Sequence, residues 1–292
     1  MLTVTFVRHG QSTDNVRHVW AGWADAPLSQ RGKAQAEALG AYFSQTLFTK
    51  IYASPLKRAA TTAAFVLAAQ PAPQPPHDFT IESVKEQNFG VAEGKPWCSP
   101  DNRISKSLSE YMSEGKYPTP RPGERFTDGE SDEDLAARAT QAVDEVIMPH
   151  VRSAARAGRA EHIALVSHGL CIGALIFALL KRDSRNVTPT REYTGMQNTA
   201  WARVVIKMQD VAEDTPIDLT DEDTLPLIVT MMDFGRADHL VKLKFNAGGT
   251  GKIAYDPKQQ DIRAFFSGAA KTVVTKHYES DARNGIDGET KN

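Results

Sequence analysis

Two short apolar runs, far apart in the chain, each end in a histidine followed by glycine, and this pairing constrains the fold more than any other feature. Leu2 to Val7 leads into Arg8-His9-Gly10-Gln11-Ser12-Thr13-Asp14-Asn15, and Ile163 to Val166 leads into Ser167-His168-Gly169. An apolar run of this length, closed by polar residues, reads as a strand buried on both faces, the habit of parallel sheets. Glycine lets the backbone come close to a bound group. Arginine offers a planar fork of donors suited to phosphate, and imidazole is a nucleophile near neutral pH. Two such strand ends predict one site built from both.

Helical patterns alternate with strands between and after these runs. Ser29 is read as the N-cap of a helix over Gln30–Thr46, with Ala34, Ala38, Leu39, Tyr42 and Phe43 at helical spacing. Lys50–Ala53 is a second strand. Ser54-Pro55 is read as a helix start, with Ser54 as cap, Pro55 at the first helical position and Arg58 in the first turn of a helix over Leu56–Ala69. The proline-rich stretch 70–76 is a loop, and Thr80–Val84 is expected to be a strand that delivers Glu86. Residues 95–128 form an irregular, lid-like excursion over the site, with one helix around Ser107–Glu114. Ser131 caps a helix over Asp132–Arg156, its first turn acidic as the macrodipole favours, and Pro149 bends or interrupts it. A helix over Leu170–Lys181 and strands Thr199–Lys207 and Leu227–Asp233 follow, the two strands separated by an acidic loop over 209–223.

This alternation predicts an α/β fold, a three-layer sandwich with a mostly parallel central sheet and helices on both faces. Ligands in such folds lie at the carboxyl ends of the strands, where His9 and His168 both fall. The main domain is expected over 1–245. Residues 246–292 form an extension that starts at a hinge, Gly248–Gly251, and is read either as helical over Lys258–Tyr278 or as disordered. It stands as a candidate contact for a partner or for a homo-oligomer.

Charge and cysteine usage narrow the function classes. A net charge of -2 gives no reason to expect nucleic acid or an anionic membrane as partner. No run approaches the ~18 apolar residues that span a bilayer. The first residues carry no basic region followed by an apolar stretch, so no secretory signal is expected. The two cysteines, Cys98 and Cys171, form no CxxC and no His/Cys cluster, so no metal site is expected and a reducing compartment is. Cytoplasm is the default location, with a nuclear share left open.

The histidine motifs have company. Ser54-Pro55-Leu56-Lys57-Arg58-Ala59, Glu86 with Phe89-Gly90 and Glu93-Gly94, and the stretch Ala21 to Ser29 join them in a set. As a set they resemble the histidine phosphatase superfamily, which also holds cofactor-dependent phosphoglycerate mutase, from Leu2 to about Leu243. The resemblance implies the phosphoglycerate mutase-like fold and a phosphohistidine formed at His9. It implies that Arg8, Arg58 and His168 hold the phosphoryl oxygens, that Asn15 donates a further hydrogen bond, and that Glu86 is the proton donor. Glu82 and Glu93 stand near Glu86 as alternative carboxylates. Gly22 is implied as a ligand contact through its turn, and Gly169 lines the site beside His168. Two arginines and a histidine supply the positive charge, so no metal and no other cofactor is called for.

The superfamily divides by the fate of the phosphohistidine, which a phosphatase gives to water and a mutase returns to the substrate. Mutases carry Glu-Arg-x-Tyr-Gly at the acid position, whereas this chain has Glu86-Gln87-Asn88-Phe89-Gly90. That departure, with Gly129-Glu130-Ser131 and Arg138, resembles the phosphatase branch. Asn198-Thr199-Ala200 and Asp238-His239-Leu240 make the similarity greatest to fructose-2,6-bisphosphatase-like and broad-specificity phosphatases. The expected function is therefore metal-independent phosphomonoester hydrolysis of a small phosphorylated metabolite such as a sugar bisphosphate. The alternatives are a cofactor-dependent mutase and a catalytically weak regulatory or binding module. Arg103, Lys106, Lys116, Arg121 and Arg125 in the excursion are candidates to meet a second phosphate, each weighed against a solvated surface charge. His18 is a further candidate for substrate contact, Trp20, Trp23 and Trp97 are read as packing or ligand contacts alike, and Cys171 as a packed apolar residue.

Overall fold

The chain builds β1 (Leu2–Arg8), α1 (Thr13–Arg17), α2 (Gln30–Phe43), β2 (Lys50–Ala53), α3 (Lys57–Ala68) and β3 (His77–Asp78). There follow β4 (Trp97–Cys98), α4 (Leu108–Ser113), β5 (Tyr117–Pro118), α5 (Asp132–Ala142), α6 (Met148–Ala157) and β6 (Glu161–Ser167). The order ends with α7 (Gly169–Leu180), β7 (Trp201–Met208) and β8 (Leu227–Arg236). This is a computed structural model, which describes residues 1–99, 106–186, 189, 193–212, 215–220, 224–241, 243, 251 and 254–255. The expectations for Arg103, for positions 248–250 of the hinge and for a helix over Lys258–Tyr278 lie outside the described residues.

Six strands form one sheet in the order β3-β2-β6-β1-β7-β8. β1 pairs parallel with β6, β6 with β2 and β2 with β3, while β7 is antiparallel to both β1 and β8. The apolar runs are buried on both sides, and the two-residue period sends alternate side chains to opposite layers. Ile163 and Leu165 join Val4, Phe6 and the helices α5–α7, whereas Ala164 and Val166 join Val7, Leu39, Phe43 and the face of α2 and α3. The expected three-layer α/β sandwich is the observed one.

Several elements depart from the sequence reading. Thr80–Val84 is not a strand. Only His77 and Asp78 pair with β2; the Asp78 carboxylate then takes the Thr80 N–H at 2.9 Å and hydroxyl at 2.6 Å, turning the chain into a 3-10 turn over Glu82–Val84. The long helix after Ser131 is interrupted as Pro149 suggests: α5 passes through a π-helical turn, Val143–Ile147, into α6. In the excursion, Ser107 caps α4 with Glu110 in a reciprocal box, and β4 pairs with β5. Phe89, Ala92, Leu108 and Phe126 form a small core there, with Trp20 packed in and its indole donating to the Tyr117 carbonyl at 3.0 Å. Trp20 is therefore packing. The described part of the acidic loop is held by its carbonyls: Arg156 donates to Leu219 and Arg152 to Thr220.

The compact unit that holds the sheet runs from Met1 to Tyr255. Its last described residue donates its N–H to the Leu28 carbonyl at 2.7 Å.

Candidate active site

Parallel pairing sets Arg8 opposite Ser167, so the residues that follow, His9 and His168, leave neighbouring strand ends together. Their ring centroids stand 5.1 Å apart. β2 ends beside β6, which adds Ser54 to the same edge. The His9 Nδ1 lies 2.7 Å from the Gly10 carbonyl. A carbonyl only accepts, so Nδ1 carries the proton and the Nε2 lone pair is left free. His168 Nε2 lies 2.8 Å from the Ser54 hydroxyl. That hydroxyl also accepts the Leu56 N–H at 3.4 Å, which ties the His168 ring to the turn that leads into the next helix. Burial, followed by the charges of Arg58 and Arg8, holds His9 well below the usual imidazole range; burial and Arg58 do the same for His168. Both rings are neutral at pH 7.

Arg58 is fully buried. Its Nη1 and Nη2 each donate at 2.7 Å to the carbonyls of Ala24 and Gly22. Gly22 sits at φ +46, and a Cβ there would lie 2.1 Å from the Glu93 carboxylate, which accepts the Trp23 N–H at 2.7 Å. Glycine is required by both the backbone angle and the close carboxylate. The turn that carries Gly22 therefore aims Arg58. Ser54 does not cap this helix, and Pro55 is not its first residue. Ser54 is still tied to the sheet through Val166, and its hydroxyl faces His168, so α3 begins at Lys57, whose N–H is taken by Asp25 at 2.7 Å.

Arg8 donates through Nη1 to the Met196 carbonyl. The Nε donors of Arg8 and Arg58 are buried without an acceptor, and the Nδ1 of His168 is buried without a hydrogen-bond partner. Each orphan donor of this kind costs ~1–3 kcal/mol. The charges of Arg58 and Arg8 bear on His9 and the His168 ring stands beside it, a setting that suits an anion with several oxygens. Burial lowers both arginines, opposed chiefly by the charge of Glu86.

Glu86 stands against the first turn of α7. Its carboxylate accepts from Cys171 N at 3.1 Å and Leu170 N at 3.4 Å, and a Cβ on Gly169 would touch both it and the Arg8 guanidinium. The other two carboxylates sort differently: Glu82 pairs with Lys85 at the surface, and Glu93 lies under the Gly22 turn. Asn15 closes a capping box with Ser12, and its Oδ1 also accepts from Asn198 Nδ2 at 3.1 Å, so only its amide nitrogen remains to donate. The His9 carbonyl accepts from Asn198 as well, at 3.2 Å.

The described basic residues of the excursion have other partners. Lys106 and Lys116 pair with Glu114, Arg125 pairs with Asp134, and Arg121 donates to the Lys106 carbonyl. His18 is an exposed left-handed cap of α1. Sequence reading missed the roles of Ser54, Asp25 and Glu93, and took Asn198 only as a family mark. A serine before proline gives a cap signal, and nothing local says that a histidine 114 positions away competes for it. No group of three His, Cys, Asp or Glu side chains able to hold a metal occurs among the described residues, and none of the described helices is long and apolar enough to cross a membrane.

A doubly wound sheet with two strand-end histidines, a buried arginine and a half-buried one defines a class of phosphoryl-handling α/β protein. Residues 4–213 match the Histidine phosphatase superfamily (branch 1), and the chain belongs to that superfamily of enzymes. The 2,3-bisphosphoglycerate-dependent phosphoglycerate mutase of Brucella canis is 31% identical over 183 residues, which cover 61% of this chain and 81% of the mutase. Three solved structures share the fold at a TM-score of 0.57. The phosphoserine phosphatase of Entamoeba histolytica, in complex with phosphoserine, is 20% identical and covers 82% of this chain and 100% of its own. A mycobacterial glucosyl-3-phosphoglycerate phosphatase with VO3 is 22% identical, covering 80% and 99%. A phosphoglycerate mutase from Bacillus anthracis is also 22% identical, covering 82% and 96%.

Proposed function

We propose that the chain is a metal-independent phosphomonoester hydrolase that works through a phosphohistidine at His9. The observation that carries this reading is the free Nε2 of His9, on a ring that stands beside His168 and feels the charges of Arg8 and Arg58, whose Nε donors are buried without an acceptor. In the first step the Nε2 lone pair forms a bond to phosphorus, the ester P–O bond breaks, and the leaving oxygen takes a proton from Glu86. In the second, water attacks phosphorus, its proton goes to Glu86, and the P–N bond breaks to release phosphate and neutral His9. The guanidinium groups and His168 stabilise the charge gathered on the equatorial oxygens, and Asn15 donates through its amide.

Hydrolysis is favoured over mutase chemistry by the residues after the acid. The Gln87 amide donates to the Glu130 carbonyl at 2.8 Å, and Phe89 is buried against Trp20. These are the positions where the resemblance puts a mutase's arginine and tyrosine, so neither grips a phosphoglycerate. The substrate is read as a small phosphorylated metabolite. The mutase names among the relatives keep the second reading in play.

The deciding experiment measures phosphate release from phosphosugars, phosphoglycerates, phosphoserine and p-nitrophenyl phosphate with a chelator present, for the parent and for His9→Ala. Release that survives chelation and falls about a thousandfold or more in His9→Ala is expected. Conversion of 3-phosphoglycerate to 2-phosphoglycerate with a bisphosphate primer, faster than phosphate release, would establish the mutase instead. Absence of both activities would leave a binding module.

A further inference from the structure

The side chain of Glu86 is oriented by α7, but its backbone is held from elsewhere. Arg138, on α5, is largely buried with Glu130 and binds it in a fork: Nε donates to Oε1 at 2.8 Å and Nη2 to Oε2 at 2.7 Å. The rest of the same guanidinium reaches the loop before the acid. Nη1 donates to the carbonyls of Ser83 at 3.1 Å and Lys85 at 2.8 Å, and Nη2 to that of Glu86 at 3.0 Å. Glu130 grips the residues after it: its Oε2 accepts from Asn88 N at 2.9 Å, its N–H donates to the Asn88 carbonyl at 2.8 Å, and its carbonyl takes the Gln87 amide. The run 83–88 forms no strand, so this pair, with the Trp23 indole on the Glu86 carbonyl at 2.7 Å, takes the place of a sheet ladder.

We propose that Glu130 and Arg138 are a positioning pair for the acid, fixing the 83–88 backbone so that the Glu86 carboxyl meets the leaving oxygen. This rests on the reading of Glu86 as proton donor. The two opposite charges neutralise each other, so the pair supplies geometry without adding net charge beside the phosphoryl site. Lysine cannot substitute for Arg138, because an ammonium lacks the planar fork that serves one carboxylate and three carbonyls together.

The test uses the dependence of an acid's contribution on the leaving group. A phenolate with a nitro group departs without a proton, whereas an alkoxide needs one. kcat/KM, which reports the steps through P–O cleavage and not the phosphohistidine hydrolysis that both esters share, is measured for p-nitrophenyl phosphate and for glycerol phosphate with the full chain and with Arg138→Lys, Glu130→Gln and Glu86→Gln, with Tm recorded for each. Arg138→Lys and Glu130→Gln are expected to lose about tenfold or more on the alkyl ester and under about threefold on the aryl ester. An equal loss on both esters, or no loss on either, overturns the positioning role. Glu130→Gln keeps shape and most hydrogen bonds, so it remains informative where Arg138→Lys fails to fold. If Glu86→Gln itself shows no leaving-group dependence, the acid reading has failed. If Glu86→Gln is selective while the pair's variants are not, only the positioning proposal has failed.

Discussion

The attack proposed for His9 needs a neutral ring whose proton sits on Nδ1 and stays there, and two features arrange this. The Gly10 carbonyl selects the tautomer, while burial and the two arginines suppress a second proton. Gly10 can approach so closely because it has no side chain; a Cβ there would lie 2.6 Å from the Gly32 carbonyl. His168 is suppressed in the same direction. Neither histidine therefore titrates near 6.5 in the free protein. The expected plot of log kcat/KM against pH, corrected for the substrate's own second phosphate ionisation, has no break at 6.5 and stays level from pH 7 through 6 on account of these rings. An acid limb at 6.5 in the corrected plot would show that the pocket is wetter or less positive than its geometry indicates. At this scale the sequence was informative about residue identity. The types Arg8, His9, Arg58 and His168 already spell out a nucleophile with cationic support, but protonation depends on burial, which no local motif reports.

Among the elements, α3 shows how a helix start can be set from a distance. A proline follows Ser54, and together they read as a cap, yet the sheet keeps Ser54 and the Asp25 carboxylate caps Lys57 N–H across 32 positions. One consequence is that Asp25, within the stretch Ala21 to Ser29, orients the helix end that carries Arg58. Asp25→Ala is expected to cost about 0.5–2 kcal/mol, as loss of an N-cap does. For a unit of this size that is a Tm lower by roughly 1–4 °C. The exposed ion pair of Asp25 with Lys57 adds little to this. Because Arg58 moves with the helix end, inhibition by inorganic phosphate is expected to weaken in the same variant. An unchanged Tm would mean that the cap is dispensable. The strands β1 and β6 were legible because apolar runs declare themselves over six or seven residues. Thr80–Val84 misled because its pattern is a strand's, while the Asp78 turn takes it off the sheet edge.

For the whole molecule, burial of histidines links stability to pH. His162 lies against β1, and burial aided by Arg203 brings it down to about 4; His239, beside Thr199, is lowered to about 4 by burial. His9 and His168 are lowered as well. In the unfolded chain each titrates near 6.5. Between about 4 and 6.5 the unfolded state thus binds more protons than the folded one, and stability falls as pH falls. Tm is expected to be lower at pH 5 than at pH 7, with most of the drop beginning below 6.5. Replacing His162 by Gln, whose amide can still meet the Thr5 hydroxyl, is expected to flatten the slope. A Tm that is level from pH 7 to 5 would contradict this account.

The sequence by itself determined the layer order and the strand ends. The two-residue period and the apolar runs that write it are local, and parallel pairing places residues after such runs at one edge. It also supplied the residue types of the site. Tertiary structure decided what those residues are for. Arg58 takes its direction from carbonyls 34 and 36 positions away, His168 its hydrogen-bond partner from Ser54 at 114, and the His9 carbonyl its partner from Asn198 at 189. Hydrogen bonds of that range, and the exclusion of water that shifts the histidines, exist only when the sheet has brought distant segments together. A pattern read along the chain records neither.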